Sequence, residues 1–448
     1  MKKLVAGAII ALVCIVVSGF FVKAKFSHAA RLYLYGYPMV MMDHTRAIMI
    51  NSSLDGRDRV NRLIHSQSFP DHNFRKVVLP NVDTLYSIAW LDLDEQPMVL
   101  SVPPISDRFY VMPLMDMWTN VYASVGTLTH GQQAVELMIA GPNWQGQVPD
   151  GLEFVRSPTK SNWLIGRIEA AAGDDIDTVA RIQSQLKLAT LSQWQQGHIQ
   201  SAINADTNAS RRESAAEIAR MSTEQYLTRL VSLLEREGYP SEELELVQQI
   251  RALKSGIEQS WFSRKMTSLA FDLLKSRLMQ SLEARKANEN GWLVQRDGIG
   301  RYGSDYAFRT AVAIIGLGAL PPEQAVYPNT VLDWQGQPLH GDNKYKIVFP
   351  YEQLPPVDGF WSLSVYDQQG FFIANEINRY AVSDKHTLLF EADGSLEIRI
   401  QAEKPVKENG NWLPAPKKGF RLVMRLYQPR EEFLNGDWRL PIVQTISK

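Results

Sequence analysis

The 448-residue sequence has one cysteine and no excess charge of either sign. A single cysteine excludes a disulfide framework within the chain and any cysteine-built zinc or iron–sulfur site. With 47 basic against 48 acidic side chains there is no basic surplus to attract a phosphate backbone, so nucleic acid is not expected as a partner. No glycine-rich phosphate loop and no Gly-x-Ser-x-Gly elbow occurs. The eight histidines are scattered, with no His-x-x-x-His or His-Glu-x-x-His among them. Asp92-Leu-Asp94-Glu95 is not followed by a calcium-loop pattern. Neither a metal nor a cofactor is therefore expected, and a metal held by residues distant in the sequence is the alternative left open. Apolar residues at 45% and charged residues at 21% exclude general disorder.

One long apolar run is present. Leu4 to Val22 contains no charge over 19 residues. As a helix it spans about 28 Å, one hydrocarbon core. It reads as an uncleaved signal anchor. The alternative is a cleaved signal, with Ser27-His28-Ala29 as the cleavage region and a mature terminus near Arg31. The short Met-Lys-Lys tail favours a cytoplasmic N-terminus. The expectation is a single-pass inner-membrane protein with its body in the periplasm, or a secreted periplasmic protein if the signal is cleaved. Cys14 lies inside the run, and Val13 before it does not suit lipidation.

Behind residues 1–30 the pattern changes twice. Residues 31–173 begin with a helix over about 31–50 and continue as short β-branched and aromatic runs: 77–79, 85–93, 97–102, 108–114, 120–126 and 163–169. Residues 174–299 carry apolar residues at helical spacing. There Ser222-Thr-Glu-Gln225 predicts a capping box, with Leu227, Leu230, Val231 and Leu234 on one face before Gly238 and Pro240. From 300 to 448 a helix leads into further strands, among them 344–349, 360–366, 371–374, 387–390, 395–401 and 420–427.

The two strand-rich regions repeat one ordered pattern. Pro80-Asn81, Pro103-Pro104, Asp107-Arg-Phe109-Tyr110 and Asp116 in the first match Pro328-Asn329, Pro355-Pro356, Asp358-Gly-Phe360-Trp361 and Asp367 in the second. Asp107 to Asp116 and Asp358 to Asp367 are both nine residues. A duplicated β domain with helices between the copies follows, with Trp361, Leu363 and Val365 on one face of their strand and Ser362, Ser364 and Tyr366 on the other.

These residues also carry a resemblance. Val78-Leu-Pro-Asn-Val-Asp-Thr-Leu-Tyr-Ser87 with Trp118-Thr-Asn-Val-Tyr122 resembles the bacterial domain of unknown function 1254. Gly316-Leu-Gly-Ala-Leu-Pro-Pro-Glu-Gln-Ala-Val-Tyr-Pro328, Phe360-Trp-Ser-Leu-Ser-Val-Tyr-Asp367 and Asn378-Arg-Tyr380 resemble its companion, domain of unknown function 1214. Leu320 departs from the second pattern, which implies Asn there. The resemblance implies an α+β, mainly β protein with two jelly-roll-like antiparallel sandwiches and helices between them. It implies no established activity.

The candidate site is a polar and aromatic constellation. Asn81, Asp83 and Leu85 share a face if the segment is extended, as do Trp118, Asn120 and Tyr122. Asp83 is the candidate general acid or base, with Tyr86 or Tyr122 as the second proton-transfer group. Asn81, Trp118, Asn120, Tyr366, Asn378 and Arg379 are candidate ligand contacts, suited to a neutral polar molecule such as a carbohydrate. The bland reading is that Asn and Asp build turns while Trp and Tyr fill cores. Arg379 is expected to pair with Asp367 or a substrate carboxylate, and Arg309 with Asp305. Three functions compete: a metal-independent hydrolase or lyase with a cleft, a non-catalytic binding or envelope-structural protein, and a scaffold whose helices meet a partner. Partners expected are a small polar molecule, the membrane through residues 4–22, and either a second copy or another envelope protein.

Overall fold

A computed structural model describes residues 2–51, 58–75, 78–171, 175–205, 211–283, 286–405 and 411–447, and the side chains of all of these except 2–25, 211–213, 283 and 447. The fold is mixed: among the described residues there are ten α-helices and several β-sheets, and no closed barrel.

Helix α1 spans Lys2–Ile50 with Pro38 inside it. Proline lacks the N–H that would bond the carbonyl four residues back. Thr310 Oγ1 donates to that carbonyl, Leu34 O, at 2.8 Å. Gly36 lets another helix come close, since a Cβ there would stand 2.3 Å from Leu230 Cδ2. The expected anchor falls on side chains outside the described residues. Among the described residues no helix is long and apolar enough to cross a membrane.

The first strand-rich region holds β1 (Ile64–His65), β2 (Thr84–Asp92), β3 (Met98–Val102), β4 (Tyr110–Asp116), β5 (Val121–Gly126), α2 (Thr127–His130), β6 (Val135–Ala140), β7 (Glu153–Arg156), β8 (Ser161–Glu169), α3 (Asp175–Gln185), β9 (Lys187–Thr190), α4 (Leu191–Gln195) and β10 (Ile203–Asn204). Its sheets run β10-β1-β2-β8-β4-β5 and β7-β6-β3-β9. Their facing side chains, among them Leu85, Leu100, Met112, Leu137 and Leu164, make one apolar core.

Helices α5 (Arg211–Arg220), α6 (Thr223–Glu237), α7 (Leu244–Gln259), α8 (Trp261–Glu283) and α9 (Tyr306–Gly316) follow. They pack with α1 over the other face of the first sheet, where Ile88, Trp90 and Trp163 meet Tyr33, Tyr226 and Phe271. The Ser222 capping box forms as the sequence predicts, with Gln225 N donating to Ser222 Oγ and Ser222 N to Gln225 Oε1.

The second strand-rich region holds β11 (Ala325–Val326), β12 (Asn329–Thr330), β13 (Lys344–Phe349), β14 (Trp361–Asp367), β15 (Ala381–Ser383), β16 (Leu396–Gln401), β17 (Trp412–Pro414), β18 (Phe420–Tyr427), α10 (Glu431–Leu434) and β19 (Gln444–Ser447). Its sheets run β11-β18-β14-β15, with β12 on β18, and β17-β16-β13-β19. The smaller sheets of the two regions share one plan. β6 pairs with β7 in parallel and with β3 in antiparallel, and β16 does the same with β17 and β13. The nine-residue spacing also recurs as one turn. Asn120 N and Phe371 N donate to Asp116 Oδ1 and Asp367 Oδ1, and each turn has a left-handed residue, Thr119 at φ 66° and Gly370 at φ 86°. The duplication read from the sequence is thus visible in strand order.

Several boundaries move. β9 and β10 lie past 173 yet complete the first region's sheets, so the helical segment starts at α5 and not at 174. Trp292 and Val294 belong to the second region's core, ahead of the expected boundary at 300. Residues 78–79, 371–374 and 387–390 are not strands. Leu79 adopts φ 54°, which ends any extended run there, while residue 77 lies outside the described residues.

Candidate functional site

The predicted residues separate into three places. The first is the contact between the two strand-rich regions. Asn81 is not extended: its Oδ1 accepts from Asp83 N and Thr84 N, so it builds the turn that starts β2. That turn aims Asp83 at the second region. Asp83 Oδ2 accepts from Ser362 Oγ at 2.7 Å and lies 3.9 Å from Arg425 Nε. Arg425 also donates to Ser364 Oγ, Tyr366 Oη and Leu79 O, and Tyr366 Oη donates to Pro80 O at 2.6 Å. Burial raises the Asp83 carboxyl, while Arg425 and Ser362 pull the other way. Asp83 and Tyr366 are brought together, but as parts of a buried tie. Tyr86 stands beside this group, its Oη 3.5 Å from Asn81 Nδ2 and its ring 5.3 Å from the Arg167 guanidinium.

The second place is the β4–β5 turn. Asp116 accepts from Trp118 N, Asn120 N and Asn120 Nδ2. Burial pushes its carboxyl up to about 6 against those donors. Trp118, Asn120 and Tyr122 therefore do not share a face. The left-handed Thr119 turns the chain, sending Trp118 onto Tyr35 at 4.8 Å in the helical core and Tyr122 toward the core between the sheets.

The third place is a surface turn. Asn378 is exposed at φ 48°, and Asn375 Oδ1 accepts from Arg379 N. Arg379 Nη1 donates to Trp412 O at 3.0 Å, while Asp367 caps its own turn. Arg309 does not pair with Asp305. It donates to Gly303 O and lies over Tyr302 and Tyr306, and Asp305 caps α9 by accepting from Phe308 N.

A cavity of about 320 Å³ lies elsewhere, lined by His65, Ser66, Phe69, Pro70, Phe74 and Asn204 among others. None of its described lining residues carries a formal charge. His65 is 2% exposed. Its Nδ1 lies 2.9 Å from Ser87 Oγ, the residue opposite it on β2. Its Nε2 is buried and meets no hydrogen-bond partner. Beneath it Gln183 of α3 turns its Nε2 to Ser66 O, Tyr86 O and Ser87 Oγ, and Gln183 Oε1 is also without a partner. Burial holds the His65 imidazole down at about 4, so it is neutral at pH 7. No sequence signal marked this site. β1 is two residues long, too short for a period, and Gln183 is 118 positions from His65.

Comparison with known proteins follows the same division. Residues 60–190 match the family model DUF1254 and residues 324–431 match DUF1214, each described as a protein of unknown function. The chain is a DUF1254–DUF1214 tandem. The tandem resembles the crystal structure of the VPA0106 protein from Vibrio parahaemolyticus, with a TM-score of 0.70 at 22% identity over 94% of this chain and 99% of that one. That likeness extends to the fold alone. An uncharacterized protein from Burkholderia cenocepacia aligns over 95% of this chain and 96% of its own at 12% identity, with a TM-score of 0.46. Among curated proteins none matches.

Proposed function

We propose that this tandem binds a small polar molecule in the cavity beside His65. The observation that carries the reading is the cavity itself, about 320 Å³ and walled by His65, Phe69 and Phe74 together with uncharged polar side chains among the described residues. The volume lies within the usual range for small-molecule sites. Phe69 and Phe74 supply apolar wall for a ligand such as a carbohydrate or another neutral metabolite. Asp83 is assigned to the domain tie and not to proton transfer, because its Oδ2 is engaged by Ser362 and Arg425. We read each strand-rich region as a jelly-roll-like sandwich, and residues 4–22 as the anchor that keeps the body in the periplasm.

The test is a thermal-shift screen of the full-length chain in mild detergent with neutral monosaccharides and their N-acetyl derivatives. Ser68 lines the same cavity and is exposed, so Ser68→Trp blocks the mouth while sparing the core. A stabilising compound whose effect disappears in Ser68→Trp supports the reading. Equal shifts in both proteins overturn it.

A second reading, a scaffold, is favoured by α8. Trp261, Phe262 and Leu269 are 74, 64 and 55% exposed, an apolar surface of the kind that meets partners. Failure of Phe262→Glu and Leu269→Glu to change any co-purifying partner would remove it.

A further inference from the structure

We propose that the end of the α7–α8 hairpin is a membrane-docking site. Trp261 and Phe262 sit in the interfacial layer of a lipid bilayer beside the N-terminal apolar run, and Arg264 and Lys265 face anionic headgroups. This rests on the reading of residues 4–22 as an anchor and adds a second contact between the body and the same membrane.

Trp261 and Phe262 open α8 at 74 and 64% exposure, whereas Phe271 on the same helix is 1% exposed. Helix directions fix the height of this pair. α6 runs the same way as α1, because Tyr226 Oη donates to Tyr33 O and Arg236 Nη2 to Asp43 Oδ1. Residues 238–243 join α6 to α7, and Ser260 alone joins α7 to α8. Links this short reverse the chain between packed neighbours, so α7 runs against α1 and α8 runs with it. Phe271 meets the Tyr33 ring edge-on, with centroids 4.8 Å apart. Trp261 lies ten residues before Phe271, about 15 Å toward the N-terminal end of α1. Val22, the last residue of the apolar run, lies eleven residues before Tyr33, about 17 Å the same way. The two heights agree to about 2 Å. Pro38, the one proline in α1, lies outside that stretch and does not bend it. Burial agrees with the placement. Ala29 is 5% exposed, and Phe26 packs into the same core as Phe271 and Ile257 near the end of α7.

A bilayer has interfacial layers of about 5–8 Å on either side of its hydrocarbon core, and a hairpin end level with Val22 falls in one of them. Tryptophan is favoured there because its ring is apolar and its N–H stays wet. The charges fit as well. Lys23 and Lys25 follow the run in the sequence, and Arg264 and Lys265 are exposed just behind Trp261 and Phe262. Glu258, the nearest acid on α7, is taken up by Lys254 at 2.6 Å. An apolar apex backed by cations is how interfacial helices hold anionic leaflets. A protein partner would not require the apex to be level with the end of the run.

The test uses the full-length chain in vesicles of phosphatidylcholine and phosphatidylglycerol. Flotation that withstands alkaline carbonate reports the anchor. Lipid brominated in its acyl chains quenches tryptophan in the interface, and the difference between the natural chain and Trp261→Phe isolates Trp261 among the 11 tryptophans. Trp261 emission should fall at least about twofold in brominated vesicles, and less without phosphatidylglycerol. Phe262→Glu should lower the docking equilibrium at least about tenfold, read as loss of most of that quenching. Leu269→Glu, about 12 Å further from the run, should leave it unchanged. Flotation without quenching of Trp261 overturns the docking site and leaves the anchor standing. So does a Trp261 shielded from iodide but untouched by brominated lipid, since protein then covers it. Equal loss of quenching in Leu269→Glu and Phe262→Glu also overturns it, because the whole helix and not its end would lie on the surface. If carbonate strips the chain from the vesicles, the anchor reading falls, and this inference falls with it.

Discussion

Arg167 on β8 and Arg425 on β18 occupy the same place in the two strand-rich regions. Each is 4% exposed, and each lies opposite the second residue of a seven-residue strand, Val111 on β4 and Ser362 on β14. Their partners differ. Arg425 has Asp83, Ser364 and Tyr366 around it. Arg167 donates to the carbonyls of Ile165 and Gly318 and lies over the Tyr86 ring, with no carboxylate within 4 Å among the described residues. The loops explain it. Asp83 follows Pro80-Asn81 by two positions, and at the matching point after Pro328-Asn329 stands Val331. Both copies hold a buried cation, and only one faces a carboxylate. A repeated scaffold can hold its core pattern while the charge pairs between copies become unequal, because the core needs only apolar side chains of suitable size, whereas an ion pair needs a particular side chain on another loop.

The largest effect should come from breaking the paired arginine. Arg425→Met leaves Asp83 buried without its cation, and removing one member of such a pair typically costs about 3–5 kcal/mol. Denaturant unfolding measures it, and Asp83→Asn in the same background should restore part of the loss. A loss under about 1 kcal/mol would show that Asp83 and Arg425 do not tie the regions together.

Next in size is a contrast in acid. His65 in the first region is buried beside uncharged groups, and its imidazole is held at about 4 against an ordinary value of 6.5. Between those values the unfolded chain takes up a proton that the folded ring refuses. The contribution of His65 to stability is therefore full above about pH 6.5 and falls as pH drops toward 4, by on the order of 3 kcal/mol. The difference in unfolding free energy between the natural chain and His65→Gln, followed from pH 7.5 to 4.5, should show this slope. A flat difference would mean that His65 is not buried neutral.

Arg167→Met should cost less, about 1.5–3 kcal/mol, since it removes charge-assisted hydrogen bonds to two carbonyls and strands no carboxylate. If its cost equals that of Arg425→Met, the two sites are not the contrast described. The smallest effects belong to the matched turns. Gly370→Ala should destabilise by roughly 1 kcal/mol or more, because the backbone is left-handed and a Cβ would stand 2.4 Å from Val78 Cγ1. Thr119→Gly should gain roughly 0.5–1 kcal/mol by relieving a left-handed threonine. Opposite signs in thermal unfolding would confirm that both turns demand the same backbone; like signs would separate them.

Much of the fold was legible because it depends on local periodicity and spacing. The alternation Trp361, Leu363, Val365 places those residues in the core, and Ser362, Ser364 and Tyr366 face the other way, toward Arg425 and the first region. The site was less legible. Asn81, Asp83, Trp118 and Asn120 were marked by their residue types, yet Asn81 and Asn120 serve turns, Trp118 serves the core and Asp83 serves the tie. Residue type signals polarity or aromaticity; it does not say whether the partner will be another part of the chain or a ligand.

The sequence by itself determined the capping box at Ser222, the duplicated order of the two strand-rich regions and the inward face of β14, because each follows from contacts between residues near in the chain or from a period of two or 3.6. Only the tertiary structure decided that Asp83 meets Arg425 across 342 positions and that His65, Ser87 and Gln183 gather beside a cavity. Those meetings depend on how sheets stack and which loops touch, and no local pattern of side chains encodes the distance between groups so far apart along the chain.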